Sequence, residues 1–336
     1  MLALLVLSPL TARELDQSPQ LTVENWLVDA RISAPARYRN LVLYPVTLPA
    51  RKLPDYHTLD QALALGSLVI RETSQQGNVN QLSINNQGHQ PVYIMAGEIL
   101  QGAKQDRVLQ DDLWLPARSG ETTVAAFCIE RGRWEYESPT FDKSRPVAAN
   151  PAVRAAARES ADQSTVWSSV EKSQAGAGYH ASTNLGKTFE DPRVKARLDG
   201  YLDALGAFAR DNPEARGVVV QVDDRILVTD LFADRAGFVL KFPKLLPSYA
   251  LEAANEGGES ASLNPDRALS FLRRTAGARF TSKGTPGDGK LLEFNSPEGS
   301  GSALVLDQVV VHLEAFPRGR SSDDRHPIPI QRDYPR

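Results

Sequence analysis

Residues 91–134 read PVYIMAGEILQGAKQDRVLQDDLWLPARSGETTVAAFCIERGRW. Two apolar runs in this stretch, PVYIM at 91–95 and TVAAFCI at 123–129, have the length and composition of buried strands. Charged, glycine-containing sequence follows each run, GEILQGAKQDR after the first and ERGRW after the second. A rigid strand that carries polar groups at its tip is a common way to build a site, so the sequence predicts a site here.

The order of predicted elements around this stretch indicates an α+β fold. The N-terminal half is strand-rich, with one helix inserted at 59–65, where Thr58 and Gln61 have the spacing of a capping box. Helical periodicity dominates the middle of the chain, and strands return towards the C-terminus. Because this order lacks regular βαβ alternation, mixed or antiparallel sheets are expected rather than a doubly wound parallel sheet.

Proline and glycine positions set the expected domain organisation. Residues 13–316 are expected to form a single α+β domain, with a candidate hinge at the proline-rich segment 137–150 and a charged, frayed tail at 317–336. The helical segment 234–255 contains Pro243 and Pro247 and is expected to be broken or kinked.

A glycine-rich segment at 284–290 has the spacing of a phosphate-binding loop. Leu291 stands where that motif needs Ser or Thr, and the strand-like residues LLEF follow where a helix should begin. The sequence therefore predicts a turn between two strands at this position.

Composition excludes several classes of protein. The chain has 336 residues and a net charge of −3, so it can bury a sizeable core, and no basic field predicts a nucleic-acid partner. The single cysteine, Cys128, excludes an intramolecular disulfide and a site made of several thiolates. Five scattered histidines lack metal-ligand spacing, and no later segment has the apolar length of a membrane span.

The N-terminal residues 1–12, MLALLVLSPLTA, resemble the apolar region of a signal segment. They lack a preceding basic residue, and a short buried strand or a misplaced start codon explains them as well. The interpretation leans towards an exported, periplasmic protein, with a cytoplasmic protein as the alternative.

The polar side chains between residues 97 and 134 form the candidate site. Alternation along an extended strand places Glu130 on the same face as Cys128, at the strand's end. Arginine binds phosphate or carboxylate through two donors, and tryptophan stacks on rings, so the residue types suit a planar or anionic ligand. The predicted catalytic carboxylates are Glu98 and Glu130, and the predicted ligand-binding residues are Lys104, Gln105, Arg107, Arg133 and Trp134.

Two other interpretations of the same residues stay open. The charged groups could pair with one another in a buried structural network, with no ligand involved. A divalent metal could also bind Glu98, Glu130 and one of Asp106, Asp111 or Asp112, although no metal site is predicted as the first choice. The sequence names no cofactor and no oligomeric state.

The elements GEILQGAKQDR, DDLWLP and CIERGRW together resemble the ARPP domain family. The upstream stretch TLDQALALGSLVIRET and the downstream run DLFADRAGF are also similar, so the resemblance covers roughly residues 22–255. Two departures are small: Ala103 stands where the family has a second glycine, and Ile129 replaces valine.

The resemblance implies a functional association more than a known reaction. The family is largely uncharacterised, and its name implies an association with ADP-ribosylglycohydrolases and rhodanese-phosphatases. It therefore implies a ligand-binding or hydrolytic module for an ADP-ribose-like or nucleotide-sugar compound. The alternative is a non-catalytic scaffold or interaction domain, and whether the protein is an enzyme is left open.

Overall fold

A computed structural model gives the structure of the protein and describes residues 19–74, 80–132, 138–159 and 162–318. Its elements confirm the predicted α+β class, with mixed and antiparallel sheets. The helices of this part of the chain are α1 (Pro19–Leu27), α2 (Leu59–Ala64), α3 (Pro151–Glu159), α4 (Gln163–Gly176), α5 (Leu185–Thr188), α6 (Pro192–Leu205), α7 (Phe208–Asp211), α8 (Arg235–Glu256) and α9 (Pro265–Ala276).

The strands follow the predicted order, and all of those in the described residues lie before residue 150 or after residue 214. They are β1 (Arg31–Ile32), β2 (Ala36–Tyr38), β3 (Leu41–Thr47), β4 (His57–Thr58), β5 (Leu68–Glu72), β6 (Gln81–Asn86), β7 (Val92–Ile94), β8 (Glu98–Gly102), β9 (Arg107–Leu109), β10 (Leu113–Leu115), β11 (Gly120–Cys128), β12 (Phe141–Ala148), β13 (Ala215–Val222), β14 (Arg225–Phe232), β15 (Thr281–Lys283), β16 (Lys290–Ser296), β17 (Gly299–Leu306) and β18 (Val309–Pro317).

The largest sheet is antiparallel and has helices on both faces. Its strand order is β1-β3-β13-β14-β18-β17-β16-β15, and β2 also pairs with β3. Successive residues of a strand face opposite sides, so Leu43 belongs to the core shared with α8, whereas Val42 belongs to the core shared with α1 and α9. Burial on both faces explains why β3 is apolar along most of its length.

The stretch 91–134 supplies β7 to β11 and so connects the two smaller sheets. One of these has the order β12-β8-β9-β11-β6-β5, and the other has the order β10-β7-β4 with a parallel β4–β7 pair. Helix α2 packs against them, and it begins with the predicted capping box: Thr58 Oγ1 accepts from the Gln61 amide, and Gln61 Oε1 accepts from the Thr58 amide.

Two proline-containing segments differ from the sequence-based expectation. Helix α8 continues through Pro243 and Pro247 without the predicted break, because its other residues are buried along most of its length and tertiary packing outweighs two missing backbone donors. The alternative expectation, a kink at these prolines, stays a prediction. Residues 141–148, expected as a loop or hinge, form β12. Pro146 lies between Ser144 and Ala148, where the pairing with β8 shifts register, so its lack of an N–H removes no ladder hydrogen bond.

The remaining organisational predictions are partly outside the described residues. The loop 284–289 connects β15 to β16, which pair antiparallel, so the predicted turn between strands is confirmed. The signal-like segment 1–12 and residues 319–336 of the tail lie outside the described residues. Within the residues that are described, no helix has the length and apolar character needed to cross a membrane.

Candidate functional site

The structure brings the two motif elements together as neighbouring antiparallel strands. Strand β9 lies between β8 and β11, with Arg107 opposite Cys128 and Val108 opposite Ile99. Just beyond the paired residues, the Ile129 amide donates to the Asp106 carbonyl at 3.1 Å. The residues GAKQDR and CIE therefore meet at one end of this sheet.

The two candidate catalytic carboxylates lie at opposite ends of the part of the sheet formed by β8, β9 and β11. The register places Glu98 at the level of Leu109 and Glu130 at the level of Gln105. Glu98 begins β8, whereas Glu130 lies beyond the end of β11, on the other side of the short strand β9. Glu98 and Glu130 therefore belong to two different clusters of polar side chains.

Glu98 lies in a cluster that we call the Glu98 cluster, formed by Glu98, Lys241, Lys244 and Asp60. Glu98 is completely buried, and its Oε2 lies 2.7 Å from Lys241 Nζ while its Oε1 lies 2.9 Å from Lys244 Nζ. Lys244 also pairs with Asp60 at 2.7 Å. These contacts attach α8 to the start of β8 and to α2.

Electrostatics keep Glu98 ionised. Burial alone would raise the pKa of Glu98, but the positive charges of Lys241 and Lys244 outweigh burial and lower the pKa to about 2. The Met95 amide also donates to Oε2 at 2.8 Å. Both oxygens are therefore occupied, and Glu98 is a carboxylate anion at neutral pH.

Arg107 is also completely buried, within the six-stranded sheet. Its Nη2 lies 3.2 Å from Glu72 Oε1, and its Nη1 contacts Cys128 Sγ. Glu72 ends β5, at the opposite edge of the sheet from β12. The predicted ligand-binding arginine thus connects strands within the core in this structure.

Asp106 is the centre of a second cluster, which we call the Asp106 cluster. Its Oδ2 accepts from Arg145 Nε at 3.0 Å, from Arg145 Nη2 at 2.9 Å and from Asn184 Nδ2 at 3.1 Å. Glu130 accepts a hydrogen bond from the Asp106 amide at 3.3 Å. Arg145 also forms an ion pair with Glu190 through Nη1. Lys104 and Gln105 precede Asp106 and are also buried.

A cleft of about 310 Å³ opens beside Arg145, between β12, α5 and α6. The Leu185 amide donates to the Ile129 carbonyl at 3.0 Å, so the second motif element positions α5 at the cleft. A Cβ on Gly186 would collide with the Arg145 guanidinium, which is why glycine allows this arginine to lie against α5. Charged groups at the cleft are Arg145, Glu190, Lys195 and Asp199, and its apolar lining includes Val147, Phe189, Leu198, Leu202 and Pro247.

Arg133 and Trp134, the other two predicted ligand-binding residues, lie outside the described residues. In the part of the chain that the structure does describe, no three His, Cys, Asp or Glu side chains are arranged to hold a metal ion.

Sequence reasoning did not anticipate a third cluster, which we call the His312 network. His312 is completely buried, with Nδ1 2.8 Å from Asp112 Oδ2 and Nε2 3.3 Å from Asp230 Oδ1. Arg154 pairs with Asp230 and lies 2.6 Å from Glu314 Oε2. The members of the network are Asp111, Asp112, Arg154, Arg158, Asp230, Tyr249, Glu293, His312 and Glu314.

The arginines of the His312 network lie over a row of carboxylates in the largest sheet. Asp230 is opposite Glu314 in the pairing of β14 with β18, and Glu314 is opposite Ser302 on β17. Arg154 and Arg158 are four residues apart and therefore on one face of α3. That spacing was the one sequence signal that could have indicated the network.

The Glu98 cluster and the His312 network are joined through Tyr93. Lys241 Nζ lies 5.2 Å from the centre of the Tyr93 ring, and the Tyr93 hydroxyl donates to Asp112 Oδ1 at 3.2 Å. A series of contacts therefore runs from Asp60, which is half exposed, through the interior to Asp111, which lies near the surface.

Stability should fall as pH rises because of His312. Burial alone would lower the pKa of His312, but Asp112 and Asp230 outweigh burial and raise it to about 9. Since the pKa of histidine in the unfolded chain is about 6.5, His312 contributes about 3 kcal/mol to the free energy of unfolding. This contribution is fully present below pH 6.5 and is lost as pH rises through about 9. Chemical denaturation at a series of pH values measures this slope.

His312→Gln should flatten the alkaline part of the pH profile. The control is His180→Gln, since His180 is exposed and is not a member of the network. An unchanged slope in the His312 variant would contradict the assignment of a buried imidazolium.

Fold and clusters together define an α+β protein in which a buried charge network links antiparallel sheets beside an open cleft. The chain matches, over residues 29–316, the family described as ARPP-1, the ARG and Rhodanese-Phosphatase-superfamily-associated Protein domain. The protein belongs to the ARPP-1 family. The resemblance seen in the sequence is confirmed, and the match continues past residue 255 to the last strand. Neither a curated protein nor a solved structure matches the chain.

Proposed function

We propose that the protein binds an ADP-ribose-like or nucleotide-sugar compound in the cleft beside Arg145. The observation that carries the proposal is that both motif elements position this cleft. Asp106 of the first element binds the Arg145 guanidinium, and Ile129 of the second element fixes the start of α5. The family's association with the ARG superfamily is compatible with such a ligand.

The lining of the cleft suits a diphosphate attached to rings. Lys195 supplies positive charge for phosphate oxygens, and Phe189, Leu198 and Leu202 supply apolar surface for a ring. Arg145 borders the same space but is already paired with Asp106 and Glu190. Glu190 and Asp199 can accept hydrogen bonds from ribose hydroxyls. A volume of about 310 Å³ is at the lower end of the range for small-molecule sites.

Within this proposal the predicted site residues act mainly behind the cleft. Lys104, Gln105 and Glu130 belong to the end of the sheet that supports Asp106. Glu98 acts from farther away, because Pro247, three residues after Lys244 on α8, lines the cleft. A catalytic role for Glu98 or Glu130 stays a prediction, and the burial of Glu98 between two lysines favours a structural role for it.

Lys195→Ala should weaken binding of ADP-ribose by about tenfold, because one charge-assisted contact to phosphate is lost. Lys195 is exposed, so the melting temperature without ligand should not change. Isothermal titration calorimetry with ADP-ribose, a nucleotide sugar and AMP measures both the affinity and the preferred compound.

Lys187→Ala is the matched control, since Lys187 is exposed on neighbouring α5 and does not line the cleft. Equal losses of affinity in the two variants would show that the effect comes from the change in net charge and not from a contact in the cleft. An absence of saturable binding across the three compounds would overturn the proposal.

A second candidate function is a non-catalytic scaffold. The observation that favours it is the complete burial of Glu98 and Arg107 with charged partners. A scaffold needs no ligand, so a flat calorimetric result combined with a large loss of stability in Glu98 variants would support it.

A further inference from the structure

A second pocket lies on the other flank of α6 from the cleft. Its volume is about 300 Å³, and its lining includes Tyr38, Arg39, Arg197, Gly200, Tyr201 and Gly258. Lys195 and Asp199 face the cleft, whereas Arg197 and Gly200 face the second pocket. At about 100° per residue these two pairs lie on opposite sides of the helix. We call this second cavity the arginine pocket.

The arginine pocket has two positive side chains in its lining and one carboxylate, Asp223, at its rim. Arg197 donates to the carbonyls of Ala177 and Ala254, and Arg39 lies over the Tyr38 ring at 5.9 Å. Among the described residues, neither arginine forms an ion pair with a carboxylate, and the lining contains no acidic side chain. A concave polar site with two guanidinium groups and a single carboxylate at its rim keeps an excess of positive charge, which favours an anion.

The hydroxyl groups of the pocket are positioned beside these charges. Tyr201 donates to Asn40 Oδ1 at 2.8 Å, and its ring packs edge-on against Tyr38 at 5.0 Å. Burial raises the pKa of Tyr201, with smaller contributions in the same direction from Tyr38 and Asp223, and the charges of Arg39 and Arg197 counteract this rise. Both guanidinium charges therefore act at the Tyr201 hydroxyl.

Arg39 occupies a backbone position that normally takes glycine. Tyr38 pairs with Leu41, so Arg39 and Asn40 form a two-residue hairpin loop between β2 and β3. Arg39 has a φ of 48°, the left-handed region that glycine adopts without strain at the first position of such a loop. Backbone strain at a side chain that faces a pocket is typical of ligand sites.

The neighbouring hairpin gives an internal comparison. Asp223 is the first residue of the two-residue loop between β13 and β14, with a φ of 49°, and its amide donates to the Asn40 carbonyl. The Asp223 carboxylate packs against Gly258 at the rim of the arginine pocket. The two loops share a positive φ at their first residue but carry side chains of opposite charge there.

We propose that the arginine pocket is a second ligand site, separate from the cleft, that binds a phosphoryl group between Arg39 and Arg197. The Tyr38 hydroxyl, which lies beside Gly200, would donate a hydrogen bond, since the Tyr201 hydroxyl already donates to Asn40. The two guanidinium groups supply planar donors for phosphate oxygens, and the flank of α6 forms the floor. No acidic group of the lining opposes the charge of the ligand.

Arg39→Gly tests the proposal without damaging the fold, because glycine relieves the strain at this position while it removes the guanidinium. Isothermal titration calorimetry with inorganic pyrophosphate, in a Lys195→Ala background that weakens the cleft, should show saturable binding. Arg39→Gly in that background should weaken the affinity by about tenfold, with a melting temperature that is unchanged or higher.

Asp223→Gly is the matched control, since it relieves the same backbone strain and removes a negative charge, so pyrophosphate affinity should stay the same or increase. Arg39→Lys, which keeps the charge but loses the planar donors, should fall between the parent and Arg39→Gly. Equal affinities for Arg39→Gly and its parent, or no saturable binding in the parent, would overturn the proposal. Because the cleft is weakened throughout, neither result depends on the function proposed for it.

Discussion

Glu98→Ala should lower the free energy of unfolding by about 3–5 kcal/mol, because it leaves two ammonium groups in the interior without their carboxylate. Lys241 is buried to the same degree as Glu98, and only Lys244 keeps another partner, in Asp60. Urea denaturation followed by circular dichroism measures the loss. The same variant separates the two interpretations of the motif, since a ligand-binding carboxylate would be lost with little change in stability.

The expected control for Glu98 is Glu121→Ala. Glu121 pairs with Arg71 at the surface, where both side chains are at least half exposed, so its removal should cost about 1 kcal/mol or less. Combining Glu98→Leu with Lys241→Met should recover most of the stability, because the buried pair is replaced by apolar groups and Lys244 keeps Asp60. A stable Glu98→Ala protein would show that water reaches this cluster.

Arg154→Met should have an effect of similar size, a loss of about 3–5 kcal/mol. Arg154 is the cation between Asp230 and Glu314, which are both buried, and its side chain packs against Gly97 and the Phe316 ring. Methionine fills much of the same space but carries no charge. The loss of stability therefore measures the electrostatic contribution of Arg154 more than the cost of a cavity. Thermal and urea denaturation measure it.

Arg131→Met is the comparison for Arg154, since Arg131 pairs with Glu171 at an exposed position and should cost about 1 kcal/mol or less. Adding Asp230→Asn to Arg154→Met should restore part of the loss, because one unpaired carboxylate is neutralised. If both arginine variants were equally stable, the His312 network would carry no net stabilisation.

The sequence predicted the meeting of the two motifs but not what their charges contact. The apolar runs could be read directly and became β7 and β11, in different sheets, and the polar segment after the first run supplies β9, which pairs with β11. The partners of Glu98 come from α8, more than 140 residues later, and no local pattern encodes that pairing. Alternation along a strand gives the face of a side chain, whereas its partner depends on how distant elements pack.

The departures in the fold have the same physical origin. Pro243 and Pro247 favour a break, but burial of most of α8 outweighs them. The prolines around residue 146 favour a loop, but a register shift accommodates Pro146 within β12. Helix capping at Thr58 and the turn before Lys290 were predictable because both depend on residues adjacent in sequence.

The buried charges also have a consequence for how the protein is made on the ribosome. Asp112 contacts His312, and Arg154 contacts Glu314, so these partners are separated by 200 and 160 residues. Until β18 has left the ribosomal exit tunnel, Asp112 and Arg154 lack these partners, so burying their charges would be unfavourable. The centre of the molecule can therefore close only after β18 has been synthesised, and shortened chains that end before residue 312 should be substrates for chaperones and proteases.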